Sequence, residues 1–187
     1  MAAKFEEFEK KIGVTFNNKK LLEQAFTHRS FINENKKSGL SHNERLEFLG
    51  DAVLELVVTK FLFEKYPDKT EGDLTAYRAA LVNAVTLAEV SRTLEVNNYL
   101  LLSKGEAKDV GRARDAILAN TFESIVGALF IDLGYETAAT FIATYVFPLT
   151  EKIVEQKLWL DAKSHFQEKA QEHVGVSPVY KTVEEVG

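Results

Sequence analysis

The sequence predicts an all-α protein, on three observations. Apolar residues recur at helical spacing through nearly all of the 187 residues. Signals that start or stop helices separate these stretches. Strand-like alternation is confined to the closing "SPVYKTVEEVG".

Each element follows from local pattern. "FEEFEKKIGV" sets Phe5, Phe8 and Ile12 on one stripe, and Leu21, Leu22, Ala25 and Phe26 form the next apolar face after "NNKK". Residues 32–41 read as a polar loop. Ser41, with Glu44 three residues on, fits a capping box that opens a helix, and Tyr66-Pro67 closes it. "EGDLTAYRAALVNAVTLAEVSRTL" offers one or two helices, and "LLLSKGEAKDVGRAR" a loop with two glycines. "DAILANTFESIVGALFIDLG" is a long apolar helix that Gly134 can end. In "ETAATFIATYVFPLTEKIVEQ", Pro148 should kink or restart the helix. From Asp161 the texture changes to a short helix, "DAKSHFQEKAQEHVG", and a first strand with no sequence left to pair with it. That reads as a second domain begun and not finished, in a truncated chain or one that borrows its pairing elsewhere.

Composition removes several classes. With no cysteine, disulfides and thiolate metal sites are out, and a cytoplasmic setting is expected. No signal peptide and no uncharged apolar run of about 18 residues stands in the chain, so no membrane partner is expected. A net charge of −5 counts mildly against nucleic acid, whose binders usually carry a basic surplus.

The chemistry is concentrated in "HNERLEFLGDAVLEL". At 100° per residue Glu44, Glu47, Asp51 and Glu55 share roughly a quarter of the helix circumference. A solvated face would mix signs to gain i,i+4 pairs, and this one offers only Arg45. Gly50, which costs about 1 kcal/mol in a helix interior, implies that something packs against the backbone there. A second pair, Asn120 and Glu123, stands at i and i+3 on the later apolar helix. Two such helices converging would hold a hard cation, Mg²⁺ or Mn²⁺ rather than zinc or copper. A di-iron bundle would need Glu-x-x-His pairs, and the four histidines supply none.

"NERLEFLGDAVLEL" closely resembles the signature of the ribonuclease III family. The likeness extends in order through "FNNKKLLEQAFTHRS", "EGDLTAYRAALVNAVTLAEVSRTL", "LLLSKGE" and "ILANTFESIVGALFIDLGY", covering about residues 5 to 155. The tail resembles the opening helix and strand of the double-stranded-RNA-binding domain of bacterial members. The resemblance implies an all-α ribonuclease III endonuclease domain over residues 1–157, with residues 158–187 a linker and an incomplete α+β RNA-binding domain. It implies a homodimer that hydrolyses phosphodiesters in double-stranded RNA with Mg²⁺, Mn²⁺ being a substitute, leaving 5′ phosphate and 3′ hydroxyl ends.

By the same resemblance, Glu47 and Glu123 match metal-binding acids and Asp51 the essential aspartate. Glu44 and Glu71 match acids that organise the centre and its substrate contacts. Asn120 departs from the family, which has aspartate at that metal-ligand position, so impaired catalysis is expected. Bound metal would reverse the local sign and answer the charge objection. The alternative is a non-catalytic RNA-binding or assembly module that keeps the fold.

Overall fold

In a computed structural model the described residues are 2–156, 159, 167, 170–179 and 181. They form α1 (Ala2–Ile12), α2 (Lys19–Ala25), α3 (Arg29–Glu34), α4 (Glu44–Lys65), α5 (Glu71–Val82), α6 (Ala84–Thr93), α7 (Arg112–Leu133), α8 (Tyr135–Tyr145) and α9 (Leu149–Glu155). Two 3₁₀ turns, Val96–Asn98 and Glu106–Lys108, lie between α6 and α7. Among the described residues the one strand-like pairing is a single parallel bridge between Thr27 and Leu101.

α7 is the axis of the fold. Its residues from Ile117 to Leu129 are buried on almost every side, because α2, α4, α6 and α8 all pack around it. A helix enclosed in this way needs no polar stripe. α7 is long and apolar enough to match a membrane span by composition, yet it lies in the protein core. Gly134, in left-handed backbone at φ 84°, ends it as expected. α8 follows at once and stacks Phe141 on Phe122, ring centroids 5.5 Å apart.

The other apolar stripes fall as predicted. Phe5, Phe8 and Ile12 of α1 are buried, and Phe8 meets both Phe26 and Tyr99 edge-on. The long segment after Pro67 divides into α5 and α6 at Asn83, whose side chain caps α6 by accepting the Thr86 N–H at 2.9 Å. Pro148 restarts the chain as α9. Tyr66 ends α4.

Four expectations need correction. Ser41 does not cap α4. The N-cap is Asn43, which makes no side-chain cap; its amide nitrogen donates to the Ala25 carbonyl at 3.3 Å, tying α4 to the end of α2. The expected loop at 32–41 begins late, since Ile32 to Glu34 belong to α3, and α7 starts at Arg112 ahead of Asp115. In the tail, residues 170–174 are helical, in line with the short helix expected there. Ser177–Val179 and Lys181 form no strand, and the rest of the expected strand lies outside the described residues. The boundary expected after residue 157 also falls outside them. Trp159 packs its ring edge against Tyr77 of α5, centroids 5.1 Å apart.

Candidate metal centre

Two glycines create the site. A Cβ on Gly50 of α4 would overlap the Glu123 carbonyl oxygen of α7, and one on Gly127 of α7 would overlap the Leu46 carbonyl oxygen of α4. Only glycine at both positions lets the two backbones touch. Ser124, fully buried, adds a hydroxyl that donates to Asn120 O at 2.8 Å and to Asn43 O at 3.4 Å. The residues flanking this crossing are the predicted ones: Glu47 and Asp51 on α4, Asn120 and Glu123 on α7. Backbone contact between the helices sets Glu47 and Asp51 of α4 near enough to Glu123 of α7 for their charges to act on it.

Their electrostatics are unbalanced. Glu123 is half-buried, and its carboxyl is pushed up to about 8, first by burial and then by the charges of Asp51, Glu47 and Glu55. Glu47 is also raised, by burial and the neighbouring Glu44 and Asp51, while a hydrogen bond from the Asn120 amide pulls it back. An aspartate at 120 could not donate that bond unless protonated. Asp51 and Glu55 face solvent. Glu44, also exposed, sits 3.5 Å from Arg29 and 3.6 Å from His42 Nδ1 at the mouth of α4.

The structure does not bring Glu71 to this group. It opens α5, accepts the Thr75 hydroxyl at 3.1 Å, and lines a cavity beside Leu62 and Phe63 at the far end of α4. Fifteen residues of helix separate Leu62 from Glu47, about 22 Å of rise.

The donor set fits a hard cation: oxygen only, net negative, one carboxyl holding its proton near neutrality. Among the described residues no three His, Asp or Glu side chains converge on one point, so the acids face each other without closing a cage. Sequence reasoning missed the parts of the site made by shape. Gly127 and Ser124 carry no charge pattern, and Asn43 was passed over for Ser41. Gly127 stood in the sequence as a second mid-helix glycine, the same signal that singled out Gly50.

Fold and donor set together define a class, an all-helical domain with an oxygen-only acidic centre. A ribonuclease-III-like family model matches residues 18–149. Ribonuclease 3 of Bacillus licheniformis is 45% identical over 186 residues, covering 100% of this chain and 74% of the relative. Ribonuclease 3 of Geobacillus thermodenitrificans is 44% identical over 185 residues, covering 99% and 75%. A solved nuclease domain of ribonuclease III from Campylobacter jejuni, described for a flexible region involved in its dimer formation, is 41% identical. It matches with a TM-score of 0.68 over 76% of this chain and 98% of its own. The chain belongs to the ribonuclease III family, and its enzyme class is a ribonuclease III-type endoribonuclease.

Proposed function

We propose that the protein hydrolyses phosphodiesters in double-stranded RNA with Mg²⁺, or Mn²⁺ in its place, held by Glu47, Asp51, Asn120 and Glu123. The observation that carries this is the α4–α7 crossing, where backbone contact forces unbalanced carboxyls together. A bound divalent cation would supply Lewis-acid activation of water and offset charge developing on the phosphate. The chain's residues do the rest. Glu123 gives up its proton to let the cation in, and Asp51 and Glu47 complete the negative field. Glu44 stays at the entrance, within reach of Arg29. Asn120 adds no charge at the position where the family carries aspartate, so catalysis is reduced. That missing charge is what favours the second reading, a non-catalytic RNA-binding or assembly module. A time course on duplex RNA in Mg²⁺, beside Asn120→Asp, separates the two. Residues 158–187 belong to the start of a double-stranded-RNA-binding domain, and the cysteine-free chain acts in the cytoplasm.

The working unit is a homodimer. Phe48 is 82% exposed on α4, with Leu56 and Phe63 exposed further along the same helix. An apolar surface of this kind marks an interface. The cavity of about 440 Å³ beside Leu62, Phe63 and Leu74 is open and is lined by Glu71 and Arg78. In a two-fold pair, Phe48 of one protomer entering that cavity brings the partner subunit's Glu71 beside Glu47 and Asp51. This gives Glu71 the place at the centre that a single chain does not. Sedimentation at micromolar concentration should return about twice 21.0 kDa, and Phe48→Glu about 21.0 kDa. A persistent monomer of the parent chain would sink the arrangement.

A further inference from the structure

α3 is a strut between the acidic centre and a basic loop. At its start His28 is the N-cap: Nδ1 accepts the Ser30 N–H at 3.3 Å and lies 2.8 Å from the Ser30 hydroxyl. The same hydroxyl oxygen accepts the Ser103 N–H at 3.0 Å, and Glu34 at the other end of α3 accepts the Lys104 N–H at 3.1 Å. The His28 N–H donates to Leu101 O at 3.0 Å. Residues 101–104 are thus held to α3 at three points. Beyond them, Arg114 ties the loop to itself through the carbonyls of Glu106 and Asp109. Lys104, Lys108 and Arg112 are left exposed, and none has an ion pair among the described residues. At the start of the strut, next to His28, Arg29 faces Glu44.

We propose that His28 is a positioning residue: its neutral imidazole latches the 103–112 loop to α3, presenting Lys104, Lys108 and Arg112 to RNA phosphates on the Glu44 side of the centre. The inference rests on the double-stranded-RNA reading above. Only a neutral ring has a lone pair on Nδ1 for the Ser30 N–H and O–H. A protonated Nδ1 accepts neither: the Ser30 N–H loses its cap, and the ring becomes a second donor to the Ser30 oxygen, competing with the Ser103 N–H. Burial holds His28 below the usual histidine range, against the pull of Glu106 and Glu44 and with the help of Arg114 and His42. These four are the charged and titratable groups facing it, from the 3₁₀ turn, the start of α4 and α7. The ring therefore stays neutral, and the latch closed, at neutral pH.

The test uses the whole chain as parent, His28→Ala, Ser30→Ala and His28→Asn. Two quantities are read: amide hydrogen exchange at Ser103, and binding of a short RNA duplex in Mg²⁺ by stopped-flow anisotropy before cleavage. Both alanine variants should speed Ser103 exchange by about tenfold, the worth of one hydrogen bond, and weaken duplex binding by about three- to tenfold. His28→Asn keeps an oxygen acceptor at the cap and should match the parent at about pH 7.5. It should also lose the weakening that the parent shows at about pH 5. Unchanged Ser103 exchange in His28→Ala overturns the latch, with Ser30→Ala deciding if that variant does not fold. Faster exchange with unchanged affinity overturns the role in RNA binding, and His28→Asn as weak as His28→Ala overturns the role of the acceptor. A parent that binds no duplex at all, with Ser103 protected as expected, defeats the RNA reading and not the latch.

Discussion

Glu9 and Glu123 are both carboxylates on apolar helices, and the protein treats them in opposite ways. Glu9 is 5% exposed and fully answered: the Phe16 N–H donates at 2.6 Å and Lys19 Nζ at 2.5 and 2.7 Å. It pins the turn between α1 and α2. Glu123, less buried, has Asp51, Glu47 and Glu55 for neighbours and is pushed up to about 8. A fold that needed only stability would pair Glu123 or replace it, because an unanswered carboxylate in a partly buried site is expensive. Perturbed groups of this kind gather at functional sites. The first acid serves the fold, and the second serves a cation.

The contrast can be sharpened first at Asn120. Asn120→Asp replaces a neutral amide with a further negative charge. Cleavage of duplex RNA in Mg²⁺ should rise by about two orders of magnitude or more, as expected when a charged metal ligand is restored. Without metal the same variant should melt lower, and Mg²⁺ should raise its melting point more than that of the parent chain. Equal cleavage by both forms would show that position 120 does not limit the site.

The next test breaks the comparison from both ends. Lys19→Met leaves Glu9 buried without its cation. Because Lys19 is half-exposed, the cost is discounted to about 1–3 kcal/mol, a fall of roughly 3–9 °C in Tm. Glu123→Gln removes the unanswered acid and should raise the metal-free Tm by several degrees while abolishing stabilisation by Mg²⁺. Two losses of similar size would erase the distinction between the acids.

The smallest effect is one of pH. Glu123 holds its proton more tightly folded than unfolded, so its contribution to stability is complete below the ordinary carboxylate value of 4.5. That contribution is lost as pH rises through about 8. Metal-free melting curves across that window should show a decline that Glu123→Gln flattens. A decline of the same slope in both proteins would place its cause elsewhere.

Much of this was legible in the sequence, and the reasons are local. Charge on an apolar helix is visible in one dimension, so Glu47, Asp51 and Glu123 could be singled out before any contact was known. Gly50 announced a close approach because a mid-helix glycine has a cost that something must offset. What faces Gly50 was not legible, since the Glu123 carbonyl and Gly127 meet it only after α7 has packed. Asn43 displaced Ser41 as the cap through a bond to Ala25, 18 residues away in sequence, which no local pattern encodes. Glu71 matched a family position, yet it opens α5 beside Leu62 and Phe63, away from Glu47 along α4. The His28–Ser30–Ser103 tie spans 73 residues between its serines and shows no periodicity at all.

The most direct measurement is a carboxyl NMR titration of Glu123 in the Asn120→Asp protein, assigned through Glu123→Gln, with and without Mg²⁺. Without metal the carboxyl should titrate well above the ordinary glutamate range, held up by burial and by the neighbouring Asp51, Glu47 and Glu55. With saturating Mg²⁺ it should fall below that ordinary range, because the cation favours the charged form. A carboxyl that titrates near 4.5 in both conditions would contradict the assignment of the α4–α7 crossing as a cation site.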